Sequence, residues 1–432
     1  MIGGGGAGLV AAWLIQDDAE VTLFEADERL GGHASTITVE TERGAMRVDC
    51  GFRYFFPTTY PNFIGLMDVL GIEPQENVAS MSFRGPADRF TLTVPPPTLG
   101  HAAQLALRPR NLIRALSFLW FLRAGRRIVR AGDWGPSLRE FLASSGIPKT
   151  VADDYLVPAL AASWGAPVPE MFDFPAYDVL RVMQQGKAGT PHFFDVPGGA
   201  STYIDAIAAD SPAVEVRTNT AVTQLVRDGT KWRVVMGDEV SLPFDQVVLA
   251  TPALAAAPLF AASENHPAKS LAASFRYFDT DIVIHRDTTL MPPERDAWGV
   301  INVRFDGARS WTTEWVGRNT GAHVFRTWLP EGHPLPDDVI LRRRYKHLIV
   351  DGRSRGLQLE IARRQGEDGI YLAGMYTCDV DNHESAVASG IHAAGLIAEG
   401  SVRLARVRKA IEARMPGARG RKPSVVASAG NR

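Results

Sequence analysis

The sequence predicts an α/β fold, a parallel-sheet domain built from three separated stretches and interrupted by a helical part and an antiparallel part. Three observations predict it. Glycines at 3, 5 and 8 open the chain, and an acid, Glu25, follows seventeen positions after Gly8. A continuous apolar strand at Val247-Val248-Leu249-Ala250 ends in Thr251-Pro252, and Gly369-Ile370-Tyr371-Leu372-Ala373-Gly374 repeats the strand-then-turn pattern near the end. Between them, residues 270–330 alternate polar and apolar, the period of an antiparallel sheet.

Taken in order, Gly3-x-Gly5-x-x-Gly8 has the spacing of a dinucleotide-binding turn. The first glycine turns the chain, the second admits a diphosphate against the backbone, and the third lets helix and sheet close up. Gly6, Ala7 and Gly8 begin a helix that continues through Leu9–Ile15 and aims its N-terminal N–H groups at that diphosphate. Val21–Phe24 is the next strand, and Glu25 at its end suits a ribose hydroxyl. A buried strand of about five residues should precede the turn, yet only Met1 and Ile2 stand there, so the expectation is a misplaced start.

The nucleotide-binding segments are expected at 1–57, 193–260 and 362–402, with a substrate domain at 58–192 and 261–361. Residues 58–190 read as mostly helical: 63–70, 102–107, 112–129, 137–144 and 150–162. The 112–129 stretch carries Arg114, Arg123, Arg126 and Arg127, so it does not span a membrane. It reads as a core-facing helix with snorkelling arginines; the alternative is a membrane-surface helix or a lid. Residues 403–432 are expected to fade from helix into a flexible basic tail.

Composition excludes several classes. A net charge of −2 gives no reason to expect nucleic acid. Cys50 and Cys378 fit neither a disulfide framework nor a metal site, which points to a reducing, cytoplasmic setting. The oligomeric state is not legible.

Three segments together resemble the flavin-containing amine oxidase superfamily, which takes in phytoene-desaturase-like and protoporphyrinogen-oxidase-like enzymes. They are the glycine turn through Glu25, continued by Arg29-Leu30-Gly31-Gly32-His33; the Asp245–Pro252 strand; and Gly369–Gly374 followed by His383-Glu384-Ser385. The match is closest to a bacterial branch of flavin/NAD-binding proteins, carried by Asp49-Cys50-Gly51-Phe52, Val196-Pro197-Gly198-Gly199 and His285-Arg286-Asp287. The resemblance implies a Rossmann-like, glutathione-reductase-type FAD domain with an inserted substrate domain, and FAD as cofactor. It implies cofactor contacts from Gly3, Gly5, Gly6, Ala7, Gly8, Glu25, Arg29, Gly31, Gly32, His33, Gly51, Val222, Ala250, Thr251, Gly374 and Glu384. That branch often accompanies fatty-acid-modifying methyltransferases, making an apolar, lipid-like substrate and peripheral membrane contact its further implications.

Departures from the pattern matter. His33 stands where an arginine is usual, and Met375 follows Gly374 where an acid is common. Amine oxidases commonly place a lysine beside flavin N5, but none occurs between Lys269 and Lys346. The expected activity is therefore dehydrogenation of a C–C or C–N bond by hydride transfer to flavin. Its alternatives are a flavin-dependent isomerase and a non-catalytic flavin-binding scaffold. His383, Glu384 and Tyr376 are the candidate catalytic residues, Cys50, Phe52 and Tyr54 candidate ring contacts, and His285 is expected to be structural.

Overall fold

The computed structural model describes residues 1–414 except 79, 90, 185–191 and 262–264. Helix α1 (Gly6–Ile15) follows the glycine turn directly, and all ten of its residues are buried. It is apolar on every side because strand Val21–Phe24 and helices Ser201–Ala209, His383–Ile397 and Val402–Arg414 surround it. Two glycines permit this packing. A Cβ on Gly8 would lie 2.0 Å from the Gly3 carbonyl oxygen, and one on Gly390 would lie 2.3 Å from that of Ala7.

Strand Val21–Phe24 pairs in parallel with Val214–Arg217, and Val247–Leu249 pairs in parallel with Ile370–Leu372. Ile2 joins the two pairs by bridging both Phe24 and Leu249. Its N–H donates to Val248 O (2.9 Å), and its carbonyl accepts from the Ala250 N–H (2.8 Å). Met1–Gly3 thus occupies the central strand position ahead of the glycine turn. The α/β class read from the sequence is the class observed.

The second sheet has seven strands in the order Val339–Leu348, Tyr277–His285, Phe325–Pro330, Ser310–Glu314, Ile301–Phe305, Met81–Arg84 and Leu92–Val94. Every neighbouring pair is antiparallel but one, Ile301–Phe305 beside Met81–Arg84. Sequence patterning misses three of these strands. Met81–Arg84 and Leu92–Val94 are short inserts in a helical region, and Val339–Leu348 is an edge strand whose period is hidden by basic residues. There Arg342 and Arg344 share Asp281, and Lys346 pairs with Asp279; charge along an unpaired edge discourages further strand addition.

Three expectations need correction. Helix α2 (Pro61–Leu70) packs against helices Ser201–Ala209, His383–Ile397 and Val402–Arg414, so it sits with the nucleotide-binding half rather than the substrate half. The segment expected to be a flexible tail begins as a docked helix, Val402–Arg414. Leu404 and Val407 are buried, Ile411 touches Gly65, and Arg414 pairs with Asp68; the remaining tail lies outside the described residues. Finally, helix α4 (Pro109–Ala131) does face the core, burying Phe121 with Phe118, Leu122 and Ile128 packed beside it, but it and helix α3 (Leu99–Leu107) also turn apolar side chains outward, which a purely core-facing reading leaves out. Among the described residues no helix is long and apolar enough to cross a membrane.

Candidate active site

The glycine turn is shaped from both sides. Gly3 has φ +100°, and a Cβ there would lie 2.7 Å from Ala250 O. A Cβ on Gly5 would meet nothing within 4 Å, so this residue borders open space at the N-terminus of α1, whose first turn no side chain caps. A second glycine loop closes on the first: Gly31 N–H donates to Gly4 O (2.8 Å), and a Cβ on Gly32 would come 3.4 Å from Gly5 Cα. Arg29 holds this second loop by donating to Leu30 O and Gly32 O. Ala7 is instead packed against Gly390, and Ala250 backs Gly3 and Gly8. Thr251 Oγ1 is buried and unpartnered.

Glu25 accepts from the Gly4 N–H at 2.6 Å and the Asp27 N–H at 2.9 Å. Its own carbonyl accepts from Thr220, which ties the segment containing Val222 to the acid loop. A groove of about 330 Å³ opens here between Ala26–Arg29, Asn219 and Arg343. Backbone cradle, acid and groove adjoin one another, and they fit a nucleotide diphosphate with its ribose.

Beyond the second loop lies a cavity of about 270 Å³. Phe52, Phe56, Phe193, Trp164, Ile301 and Trp328 make it largely apolar, and His33 and Gly51 form the end nearest the cradle. Its polar wall is Glu314, which holds Arg326 Nη1 at 2.6 Å and Arg53 Nη1 at 2.9 Å. Arg326 also donates to the carbonyl of Gly51, fixing the approach to the cavity from the antiparallel sheet. His347 Nδ1 lies 3.2 Å from Asp381 Oδ2, while His347 Nε2 is buried without a partner. His33 stacks on Tyr345, its Nε2 likewise unpartnered, and burial together with His347 brings its pKa down to about 4. Two imidazoles therefore stand 5.7 Å apart, centroid to centroid, at one side of the cavity.

The residues singled out from sequence divide sharply. His383 lines the cavity, stacks on Phe52 (4.0 Å) and contacts Tyr203 Oη through Nε2 (2.7 Å); burial lowers its pKa to about 3. Glu384 caps α2 from outside, accepting from the Asn62 N–H, the Asn62 side chain and the Phe63 N–H at 2.9, 2.6 and 2.9 Å. Burial pushes its carboxyl up to about 7. Tyr376 turns away from the cavity into the core against Phe275, and Met375 lines the cavity in its place. A Cβ on Gly374, at φ +135°, would press on that tyrosine ring. Phe52 and Tyr54 line the cavity, whereas Cys50 is buried beneath it and donates to Val48 O. His285 pairs with Thr327 inside the sheet, a structural position.

Sequence reading missed Arg53, Glu314, Arg326, His347 and Asp381. Only the polar run before His383 hinted at Asp381; Glu314, Arg326 and His347 come together through sheet pairing, and Arg53 joins them from a loop by its ion pair with Glu314. No lysine lines the cavity among the described residues.

The family model for flavin-containing amine oxidoreductases matches residues 7–335. No curated protein matches the sequence. Among solved structures, the CLA-producing fatty acid isomerase from P. acnes superposes with a TM-score of 0.67 at 14% identity, covering 93% of this chain and 98% of that one. Cyclohexylamine oxidase from Brevibacterium oxydans gives 0.63 at 16%, with coverage of 92% and 98%. Putrescine oxidase bound to putrescine gives 0.62 at 13%, again with coverage of 92% and 98%. These structures share the fold, and the family match spans more than half of the sequence: the chain belongs to the flavin-containing amine oxidoreductase family and is an FAD-dependent oxidoreductase.

Proposed function

We propose that the protein dehydrogenates a C–C or C–N bond of a largely apolar substrate, with a lipid acyl chain as the leading candidate. The observation that carries this reading is the aromatic cavity that begins at His33 and Gly51 and lacks a lysine among its described walls. Bound FAD supplies a hydride acceptor at N5. The Gly3–Gly8 turn and the first N–H groups of α1 would hold its diphosphate, Glu25 the adenosine ribose, and Gly31, Gly32 and His33 the passage toward the ring. Gly51, Thr251, Gly374 and His383 would border the flavin end, with Val222 beside the adenosine.

The remaining chemistry belongs to the walls. Trp164, Trp328 and Phe52 orient an apolar chain and exclude water. Removing hydride from one carbon requires loss of a proton from its neighbour, and His347 Nε2, oriented through Nδ1 by Asp381, is placed to receive it. Glu384 acts as a positioning residue through α2, and Tyr376 as packing. A substrate of this kind resides in lipid, so the reading carries peripheral contact with a lipid surface.

The test has two stages. Heat should release FAD from purified protein in near-equal amount. Anaerobic titration with fatty acids, polyenes and amines should then bleach the flavin with an apolar compound and leave it unchanged with amines. Bleaching by amines alone would overturn the substrate reading, and colourless protein that refuses FAD would favour the scaffold. A second reading, double-bond isomerisation, is favoured by the paired imidazoles, which could relocate one proton without net electron transfer, and by the shared fold of the fatty acid isomerase. It predicts product only after prior reduction of the flavin, which is still reduced when the reaction ends.

A further inference from the structure

Helices α3 and α4 each present large apolar side chains to solvent. Leu112, Ile113, Leu116, Leu119 and Trp120 are 47–58% exposed, and Leu99 and Leu107 reach 90% and 80%. At about 3.6 residues per turn, Leu112, Leu116 and Leu119 share one side of α4 with Arg123, Arg126, Arg127 and Arg130. Those four arginines are exposed too. The opposite side, Arg114, Ser117, Phe121 and Gly125, is buried. The outer stripe of α4 is therefore apolar over its first turns and cationic over its last.

Charge singles out the partner. Residues 99–132 contain seven arginines and no acid, in a chain whose acids outnumber its lysines and arginines. Along the edge strand Val339–Leu348, arginines are neutralised by Asp281. Arg123, Arg126, Arg127 and Arg130 form no such pair among the described residues, whereas the inward Arg114 is held by Asp88. Nearby acids are few: Asp88 is taken by Arg114, Asp296 faces His101, and Asp133 follows the helix.

We propose that the α3–α4 face docks on an anionic lipid surface. Leucines and Ile113 enter the acyl boundary while the guanidinium groups meet headgroup phosphates, the arrangement of an interfacial amphipathic helix. Trp120 is suited to the same boundary, its indole N–H donating to Ser145 O (2.7 Å) while the ring remains half exposed. No described helix is long and apolar enough to cross a bilayer, so this face, and not a membrane-crossing helix, is what the described residues offer to lipid. A second copy of the chain fits less well, because apposed α4 stripes would bring eight arginines together without counter-charge.

The docked face is one helix away from the cavity. Helix Ala176–Met183 packs under α4, with Leu180 against Gly125, and Val182 of that helix lines the cavity. The inference rests on the apolar-substrate reading for what docking achieves, and on the surface alone for whether docking occurs.

Co-sedimentation of the full chain with phosphatidylcholine vesicles, with and without phosphatidylglycerol, tests it. Binding is expected only with phosphatidylglycerol and should weaken steeply with salt. Arg123→Gln, Arg126→Gln, Arg127→Gln and Arg130→Gln together should reduce partitioning by about 100-fold or more. Leu116→Asp with Leu119→Asp should abolish it while leaving the circular dichroism spectrum unchanged, since both side chains are already in water. Equal binding to both vesicle types, no binding to either, or binding that ignores these variants would overturn the proposal. So would a concentration-dependent dimer dispersed by Leu116→Asp. Flavin absorbance of the same samples is read in parallel, so failure to hold FAD is distinguishable from failure to dock.

Discussion

The glycine cradle and the cavity beside it are built on opposite plans. The cradle is a backbone object: Gly3, Gly5, Gly8, Gly31 and Gly32 act by what they lack, and they lie within one short stretch that Ala250, Thr251 and Ile204 back from farther along the chain. The cavity is a side-chain object, assembled from residues 33–60, 162–164, 182, 193, 301–328, 347 and 375–383. The difference teaches that a cofactor site can be written locally while a substrate site is written across the whole chain. The two should also fail differently.

The sharpest contrast lies within the cradle itself. Gly8→Ala places a methyl against the Gly3 carbonyl and should cost about 3 kcal/mol or more, seen as a large fall in thermal midpoint. Gly5→Val points into open space, so it should leave stability within about 1 kcal/mol while removing FAD from the purified protein. Equal losses of stability would break the distinction. In the cavity wall, Arg326→Met strips Glu314 of one buried partner and leaves Arg53 as the other. The expected cost is about 3 kcal/mol by urea unfolding, with FAD retained.

Acid should expose the histidines. Burial depresses His383 from 6.5 to about 3, so the unfolded chain takes up a proton that the folded chain refuses. The stabilisation present above pH 6.5 is therefore lost as pH falls through that window, by about 2 kcal/mol at about pH 5. His383→Asn should flatten this acid limb in unfolding free energies measured at both pH values. An unchanged limb would mean that His383 is more open to water than its stack on Phe52 implies. The smallest effect belongs to Lys346→Ala. Its ammonium pairs with Asp279 and is half exposed, so stability should move by less than about 0.5 kcal/mol and the flavin spectrum not at all.

The same contrast explains what could be read from the amino acids. Gly3, Gly8 and Glu25 announced their surroundings because turn, helix and strand end follow one another within 25 residues. His383 was found because it opens a helix beside a strand–turn signal. Glu384, its neighbour, lies instead against α2: helix geometry sends adjacent side chains to different sides, and α2, whose N-terminus it caps, is about 320 positions away. Glu314 and Arg326 looked like ordinary strand residues, since only the register of Ser310–Glu314 against Phe325–Pro330 makes them partners. The exposed leucines of α4 carried the right period, but periodicity cannot say which side faces water.

Helix α2 is gripped at both ends, by Glu384 at its start and by Arg414 on Asp68 near its finish. Phe56, Thr59 and Tyr60 of the cavity immediately precede it. Mechanically it is a beam clamped by segments that follow it by more than 300 residues, so a nascent chain cannot set that part of the cavity wall until those segments have emerged. Completion of that wall thereby waits on these distant segments, whatever the order in which the two sheets collapse.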